Sequence, residues 1–476
     1  MLFSIKKLKP ALNLNLDPLK HRKILSARFK IGYSFAESGI NATELLLRLY
    51  LLSFYTDIVG ISPFWAGLAG FIGLFWDAVT DPLMGKLSDR TLNHFKGRAP
   101  YLFLGTLILA ASLILLFSPP SGVIPEYGFL YMLGSYLVLN TAMTIFSVPY
   151  MAMTSDLSHD RNERSVLFAL RFAFGNLGAL IAAGLPVYFL SSAQSTAEKL
   201  EAMSQVSWLL AALIILSGFT SWLTVRRKKH LLQNEKTGHW SDEFKSILTN
   251  QAFWPLLIAY TVATFGVSLN SSLARYYYRY RLMMDESEVG ILLVSFMIFL
   301  TMSLMGWVWI SKRFGKLIPL RYGILGLGIG TSVVYLLFQP GSFWTPLWVA
   351  GGLLGILVGS VVLLDSILTD VIDLHRVRGK GEAAGMYFGI WRFASKLSRA
   401  SAFFAAGILL SGIGFVPNQI QEEEVSLALA WFFGPGVGIF LILSSLILIP
   451  YRFKDSKQNQ VQRILQKRLD RAGVSV

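Results

Sequence analysis

The chain contains no cysteine, which excludes disulfides, thiolate metal sites and a cysteine nucleophile. It is also poor in charge: Asp, Glu, Lys and Arg make up 15% of its 476 residues, against about a quarter in an ordinary soluble domain. Acid is the scarcer sign, with 28 Asp and Glu against 43 Lys and Arg, a net charge of +15. The apolar stretches hold no nucleophile beside a base and no histidine cluster, which argues against an embedded enzyme. They hold no filter sequence or repeated ring of charge either, which argues against a channel. The basic N-terminus is not followed by a short apolar core and a small-residue cleavage site, so no cleaved leader is expected.

What the chain has is hydrophobicity, 54% of residues with a mean hydropathy of +0.53. Apolar runs of about twenty residues recur from end to end, the mark of a polytopic helical membrane protein. We read twelve spans, beginning near residues 31, 63, 100, 128, 165, 205, 251, 288, 318, 343, 383 and 427. The fold class is therefore all-α, with twelve transmembrane helices. Its positive charge gathers in the first thirty residues, in Arg226-Arg-Lys-Lys229 and in a tail with Arg463, Lys467, Arg468 and Arg471. The intervening loops near Asp57, Pro119 and Gly341 lack Lys and Arg. That alternation places both termini in the cytoplasm of a multi-pass plasma (inner) membrane protein. It also assigns the charge to lipid headgroups rather than to nucleic acid.

The basic stretch in the middle divides the spans six and six, the pattern of two packed bundles. The expected organisation is a cytoplasmic N-terminus over 1–30, a six-helix bundle over 31–226, a linker over 227–250, a second bundle over 251–450 and a tail over 451–476. A faint internal echo agrees: residues 85–98 follow the second span, and 311–316 follow the eighth. The glycine run at 323–330 superficially suggests a phosphate loop, but it has no preceding strand and no lysine, and we read it as helix packing.

One stretch organises the rest: WDAVTDPLMGKLSDR over 76–90, running on to GRAPY over 97–101. Asp77 and Asp81 fall inside an apolar run, four apart, so a helix puts both carboxylates on one face with Cβ atoms roughly 5–6 Å apart. Two bare carboxylates at that depth are unstable. One must hold a proton, a cation must sit between them, or bases from another helix must pair with them. Pro82 lacks an N–H and leaves the Ala78 carbonyl free nearby. Glu44 and Arg48 are also four apart, in the order that favours pairing, and serve either as a pair or as pocket residues. Arg392, Lys396 and Arg399 share one broad helix face.

These motifs, with Tyr55-Thr-Asp-Ile-Val-Gly60, Val148-Pro-Tyr150, Asp160-Arg-Asn-Glu-Arg164, Arg171-Phe-Ala-Phe-Gly175, Asp370-Val-Ile-Asp373 and Phe393-Ala-Ser-Lys396, form an ordered set over most of the chain. The set resembles the glycoside–pentoside–hexuronide:cation symporters, the family of melibiose permease, within the major facilitator superfamily. The resemblance implies two six-helix bundles, transport by alternating access, no cofactor, and Na⁺ or H⁺ as coupling ion. It implies a cation site at Asp77 and Asp81 with Thr144, and with Thr80 where melibiose permease has an asparagine. It implies a substrate site that includes Arg171 and Lys396. Two acids that hold sugar in melibiose permease are Asn41 and Ser147 here, and its helix-four tryptophan is Met151, so melibiose itself is not an expected substrate. The missing acids and the added Arg48, Arg392 and Arg399 point to an anionic or zwitterionic solute, such as a uronide. The same family embraces lysophospholipid transporters, which keeps an amphiphile open as the alternative. Asp89, Arg90 and Arg98 are the implied inner gate. The expected partners are a small-molecule substrate and membrane lipids, with a monomer as the functional unit.

Overall fold

The computed structural model describes residues 25–90, 97–120, 127–157, 161–226, 247, 249–339, 344–377 and 384–450. Most of the basic N-terminus, nearly all of the 227–250 linker, the 451–476 tail and Asp160 lie outside the described residues.

The described residues make twelve helical passes. A short helix, Ala27–Ser34, leads into α1 (Ala36–Ser53), which continues through a π turn at Phe54–Ile58. Then come α2 (Pro63–Arg90), α3 (Ala99–Phe117), α4 (Gly128–Leu157), α5 (Arg161–Leu190) and α6 (Thr196–Val225). The second half holds α7 (Phe253–Tyr276, with a π turn at Tyr277–Arg281), α8 (Glu286–Phe314) and α9 (Leu317–Leu337). It ends with α10 (Trp344–Val358, continued after a tight turn as Val362–Val377), α11 (Ala384–Gly412) and α12 (Glu423–Trp431, a π turn, then Val437–Ile447). Ten of the twelve are long and apolar enough to cross a membrane by length and composition alone. The other two, α1 and α2, carry Glu37, Glu44, Arg48, Asp77 and Asp81, the charges that build the site described below.

Element ends follow local chemistry. The sixth pass begins at Thr196, well before the apolar run near 205, because Ser195 accepts the Glu198 N–H at 3.2 Å and good helix formers follow. The start of α8 is closed by a capping box in which Asp285 accepts the Glu288 N–H and Glu288 accepts the Asp285 N–H, both at 2.8 Å. The Glu288 N–H and the Ser287 hydroxyl hold the Asp285 carboxyl below its ordinary range. The cap therefore stabilises above that range and is lost as pH falls through it.

The internal echo has a structural counterpart. Gly97 (φ 131°) and Gly315 (φ 78°) each take a left-handed turn that a side chain resists. Each is followed by a base in an ion pair, Arg98 with Asp89 and Lys316 with Asp370. The 323–330 glycines are packing positions: a Cβ on Gly323 would lie 2.4 Å from Ser360, and one on Gly328 would lie 2.8 Å from Ile442.

Within the first half, α1 packs on α5 and α6, α3 on α4 and α6, and α2 on α4. Within the second, α7 packs on α11 and α12, α8 on α10, and α9 on α12. The halves meet where α2 lies along α11, α1 along α7, and α5 along α8. Between these pairs lies the central cavity.

Candidate functional site

Asp77 and Asp81 stand one turn apart on α2, facing α4 and α11. The Thr144 hydroxyl of α4 lies 2.9 Å from Asp77 Oδ1 and 3.1 Å from Asp81 Oδ1, so one hydroxyl bridges the two acids. Lys396 of α11 places its Nζ 2.6 Å from Asp77 Oδ2 and in contact with Asp81 Oδ2. The repulsion inferred from the i, i+4 spacing is therefore met by an ammonium from another helix. Lys396, expected in the substrate set, lines the central cavity and is at the same time held by the acidic pair. Thr80 turns its hydroxyl to the Trp76 carbonyl at 3.0 Å and lies 3.3 Å from the Thr144 hydroxyl, just behind the carboxylates.

Arg171 is also placed differently from the expectation that it lines a pocket. It is buried at 5% exposure and bonds Glu37 Oε2 at 2.7 Å and Thr154 Oγ1 at 2.9 Å, with its guanidinium 4.5 Å from the Tyr150 ring centre. It does not line the cavity; its partner Glu37 does. Breaking a mostly buried pair strands one charge and typically costs about 3–5 kcal/mol. Arg171→Gln should therefore lower the thermal unfolding midpoint, and the double change Arg171→Gln with Glu37→Gln should recover most of the loss. A double variant no more stable than the single one would show that the pair is not what Arg171 contributes.

The cavity itself measures about 320 Å³ and is walled by α1, α2, α4, α7 and α11. Asn41, Ser147 and Met151 line it as expected. Asn41 donates to Glu37 Oε1 at 3.3 Å, and Arg392 donates to the Met151 sulfur at 3.4 Å. Glu44 and Arg48 also line it and form no ion pair with each other among the described residues, which favours the pocket role for both. Arg399 completes the wall, and its buried Nε has no hydrogen-bond partner among the described residues. Counting Arg171 behind Glu37 and Asp365 behind Arg392, five bases (Arg48, Arg171, Arg392, Lys396, Arg399) face five acids (Glu37, Glu44, Asp77, Asp81, Asp365).

Sequence reasoning missed Glu37, Tyr136, Asn140 and Tyr260. A signal for the first existed: Glu37, Asn41, Glu44 and Arg48 are spaced 4, 3 and 4 apart, one polar stripe on α1. Tyr260 stacks on Trp391 at 3.8 Å between ring centres, and that pairing across α7 and α11 is not visible in the sequence.

The two ends of the cavity differ. Call the end where residues 25 and 450 lie the terminal end. At the opposite end the halves are sewn together. The Thr56 hydroxyl meets the Tyr276 hydroxyl at 2.6 Å, and Tyr280 donates to Asp57 Oδ2 at 2.7 Å. Asn418 Nδ2 donates to the Asp57 carbonyl, and Arg275 Nε donates to Ser53 Oγ at 3.0 Å while paired with Glu286 at 2.8 Å. Residues 276–281 thus form part of a seam: Tyr276, Tyr277, Tyr278 and Tyr280 are all buried. The α2–α11 contact closes there too. The Phe64 N–H donates to Ser411 Oγ at 2.9 Å, and a Cβ on Gly67 would lie 3.0 Å from the Gly407 Cα. Toward the terminal end the same two helices part: a Cβ on Gly85 would meet only Val148, at 3.9 Å, and one on Gly389 would meet nothing within 4 Å. The expected inner-gate residues sit at this end. Asp89 pairs with buried Arg98, tying α2 to α3 within one half, and Arg90 is exposed.

Twelve helical passes among the described residues, ten of them long and apolar enough to cross a membrane, around a central polar cavity sealed at one end and lined by charged groups, define a secondary transporter and not an enzyme. The family described as MFS/sugar transport protein matches residues 32–455. The chain belongs to that family, the glycoside–cation symporter branch of the major facilitator superfamily that its motifs resemble. It is 25% identical over 500 residues to the sodium-dependent lysophosphatidylcholine symporter 1 of Mus musculus, covering 96% of this chain and 91% of that one. It is 22% identical over 461 residues to the isoprimeverose transporter of Lactiplantibacillus pentosus, covering 94% and 93%. Among solved structures, a bacterial homologue of the human lysosomal transporter Spinster, in an inward-facing and unoccupied conformation, shares the fold with a TM-score of 0.65 at 14% identity, covering 94% and 99%.

Proposed function

We propose that this protein couples inward movement of Na⁺ or H⁺ to that of a glycoside-type solute bearing negative charge, such as a uronide, by alternating access. The observation that carries the reading is the convergence of Asp77, Asp81 and Thr144 on one point at the cavity wall, already filled by an ammonium. A site that holds Lys396 so closely is a cation site. A coupling ion that displaces Lys396 frees one positive charge into a cavity whose bases and acids otherwise balance. An anionic solute then restores the balance, so each ligand favours the other, which is what coupling requires. Only the empty carrier, with Lys396 on the acids, or the doubly loaded one avoids an uncompensated charge at mid-membrane.

In this reading the halves 31–226 and 251–450 are the two moving bodies, and the sewn seam is the closed outer gate. Asp89, Arg90 and Arg98 contribute to the inner gate in the opposite state. Sodium- or proton-driven uptake into proteoliposomes, measured over uronic acids and neutral glycosides, tests the function directly. Tight preference for a neutral sugar over its uronic acid would overturn the sign of the substrate and leave symport standing. A second reading, transport of a lysophospholipid or other amphiphile, draws support from the apolar cavity that adjoins Arg48.

Topology is tested separately. Tags at the N-terminus, at Thr237 and at the C-terminus should be reached only from the cytoplasm, and a tag at Gln194 only from outside. An external Thr237 would make the first half an odd number of spans and end the two-body scheme.

A further inference from the structure

Beside the polar cavity lies a second one of about 160 Å³, whose wall comes from α1, α7, α8, α9, α10 and α12. Its lining is mostly aliphatic and aromatic, including Leu292, Phe296, Leu300, Leu327 and Leu354. The partition between the two cavities is made of α1 and α7. On α7, Ser268 and Ser272 face the polar side, whereas Val267, Ser271 and Ala274 face the apolar side. On α1, Glu44 faces the polar side, and Leu45 and Leu49 face the other. Arg48 lines both. Asn270, on the apolar wall, makes no side-chain hydrogen bond among the described residues.

An unfilled apolar hole forfeits contacts along its walls, and an apolar group entering it would recover them. A long cationic side chain suits a boundary, with its stem on apolar surface and its head in the polar space. The molecule complementary to this arrangement has an anionic head and a short apolar group. We propose that the apolar cavity is a second subsite of the transport site, taking an alkyl or aryl group covalently attached to an anionic head held at Arg48. The proposal rests on the transport reading above and deepens it. At ~10–15 Å³ for each water-sized group, the space accommodates a chain of roughly ten carbons.

The test uses the full chain in lipid nanodiscs and a homologous series of n-alkyl β-D-glucuronides, from methyl to dodecyl, with the matching alkyl phosphates as a second headgroup. Affinity should rise about fourfold per methylene and level off near the length that fills the cavity. Leu300→Trp and Val358→Phe fill the cavity from two different helices, away from the polar site. Each should move the plateau to shorter chains and leave binding of the methyl compound unchanged. Two variants guard against one failing to fold. Which head shows the effect separates a uronide from a phosphate-headed lipid. Affinity that is flat with chain length, or that rises without a plateau and ignores both substitutions as partitioning into lipid would, overturns the subsite. Cation-driven uptake of methyl glucuronide with flat chain-length dependence overturns the subsite alone. Binding of neither series at any length overturns the anionic-substrate reading as well.

Discussion

In Asp77→Asn and Asp81→Asn proteins, uptake against a concentration gradient is expected to vanish while one-for-one exchange of substrate persists. Each substitution leaves one carboxylate facing Lys396, a neutral pair with no claim on a further cation. The coupling ion then has no differential affinity for the two states, and an ion that stabilises neither state more cannot drive the cycle. With one cation carried per solute, a tenfold cation gradient supports at most about tenfold accumulation, and the variants should reach only equilibrium. The charge of the solute adds a second readout. A monovalent cation carried with a monovalent anion is electroneutral, so accumulation should follow the ion gradient and ignore the membrane potential. A neutral solute would instead gain roughly 2.3 kcal/mol per 100 mV. Lys396→Gln works in the other direction. It leaves two carboxylates without their ammonium, so added Na⁺ or acid should raise the unfolding temperature more than in the parent protein. Full gradient-driven uptake in both aspartate variants would reduce Asp77 and Asp81 to structural partners of Lys396.

How much of this could be read from the chain depends on the range of each interaction. The twelve passes were legible because a bilayer demands about twenty apolar residues per helix, a local property. The pairing of Asp77 and Asp81 on one face was legible because helical geometry fixes neighbours four apart. Their partner was not. Lys396 is 315 residues from Asp81, and only the packing of α2 along α11 brings them together. The sequence left pairing with a base from another helix open as an alternative to a bound cation, and the structure shows that pairing. It does so with the residue expected to hold substrate. Arg171 was misplaced for the same reason: its pocket role was carried over from the resemblance, whereas Glu37, 134 residues away, draws it into the α1–α5 interface. The seam was not legible because tyrosine suits both a lipid interface and a buried hydrogen-bonded contact. Nothing local to Tyr276 or Tyr280 reveals that Thr56 and Asp57 lie opposite.

The seam yields the other large effect. Phe64→Cys with Ser411→Cys places two thiols on the facing turns of α2 and α11 where the Phe64 N–H now reaches the Ser411 hydroxyl at 2.9 Å. The native chain has no cysteine, so any oxidised bridge is the engineered one. Alternating access requires α2 and α11 to part at this end and close at the other, where Gly85 and Gly389 now face open space. Oxidation should therefore reduce transport to background, and reductant should restore it, while either single substitution transports in both conditions. The locked protein should keep its wide end open, so single cysteines added at Gly85 or Gly389 should react with a hydrophilic maleimide from the terminal side at an undiminished rate. Removing the seam's polar contacts should act the opposite way. Asp57→Ala with Tyr280→Phe deletes the Tyr280–Asp57 hydrogen bond and the Arg279–Asp57 ion pair across the halves, shifts the population toward the other state and slows maleimide labelling at Gly85 and Gly389. A bridged protein that transports at the parental rate would show that α2 and α11 do not separate here, and the two halves would have to move about some other contact.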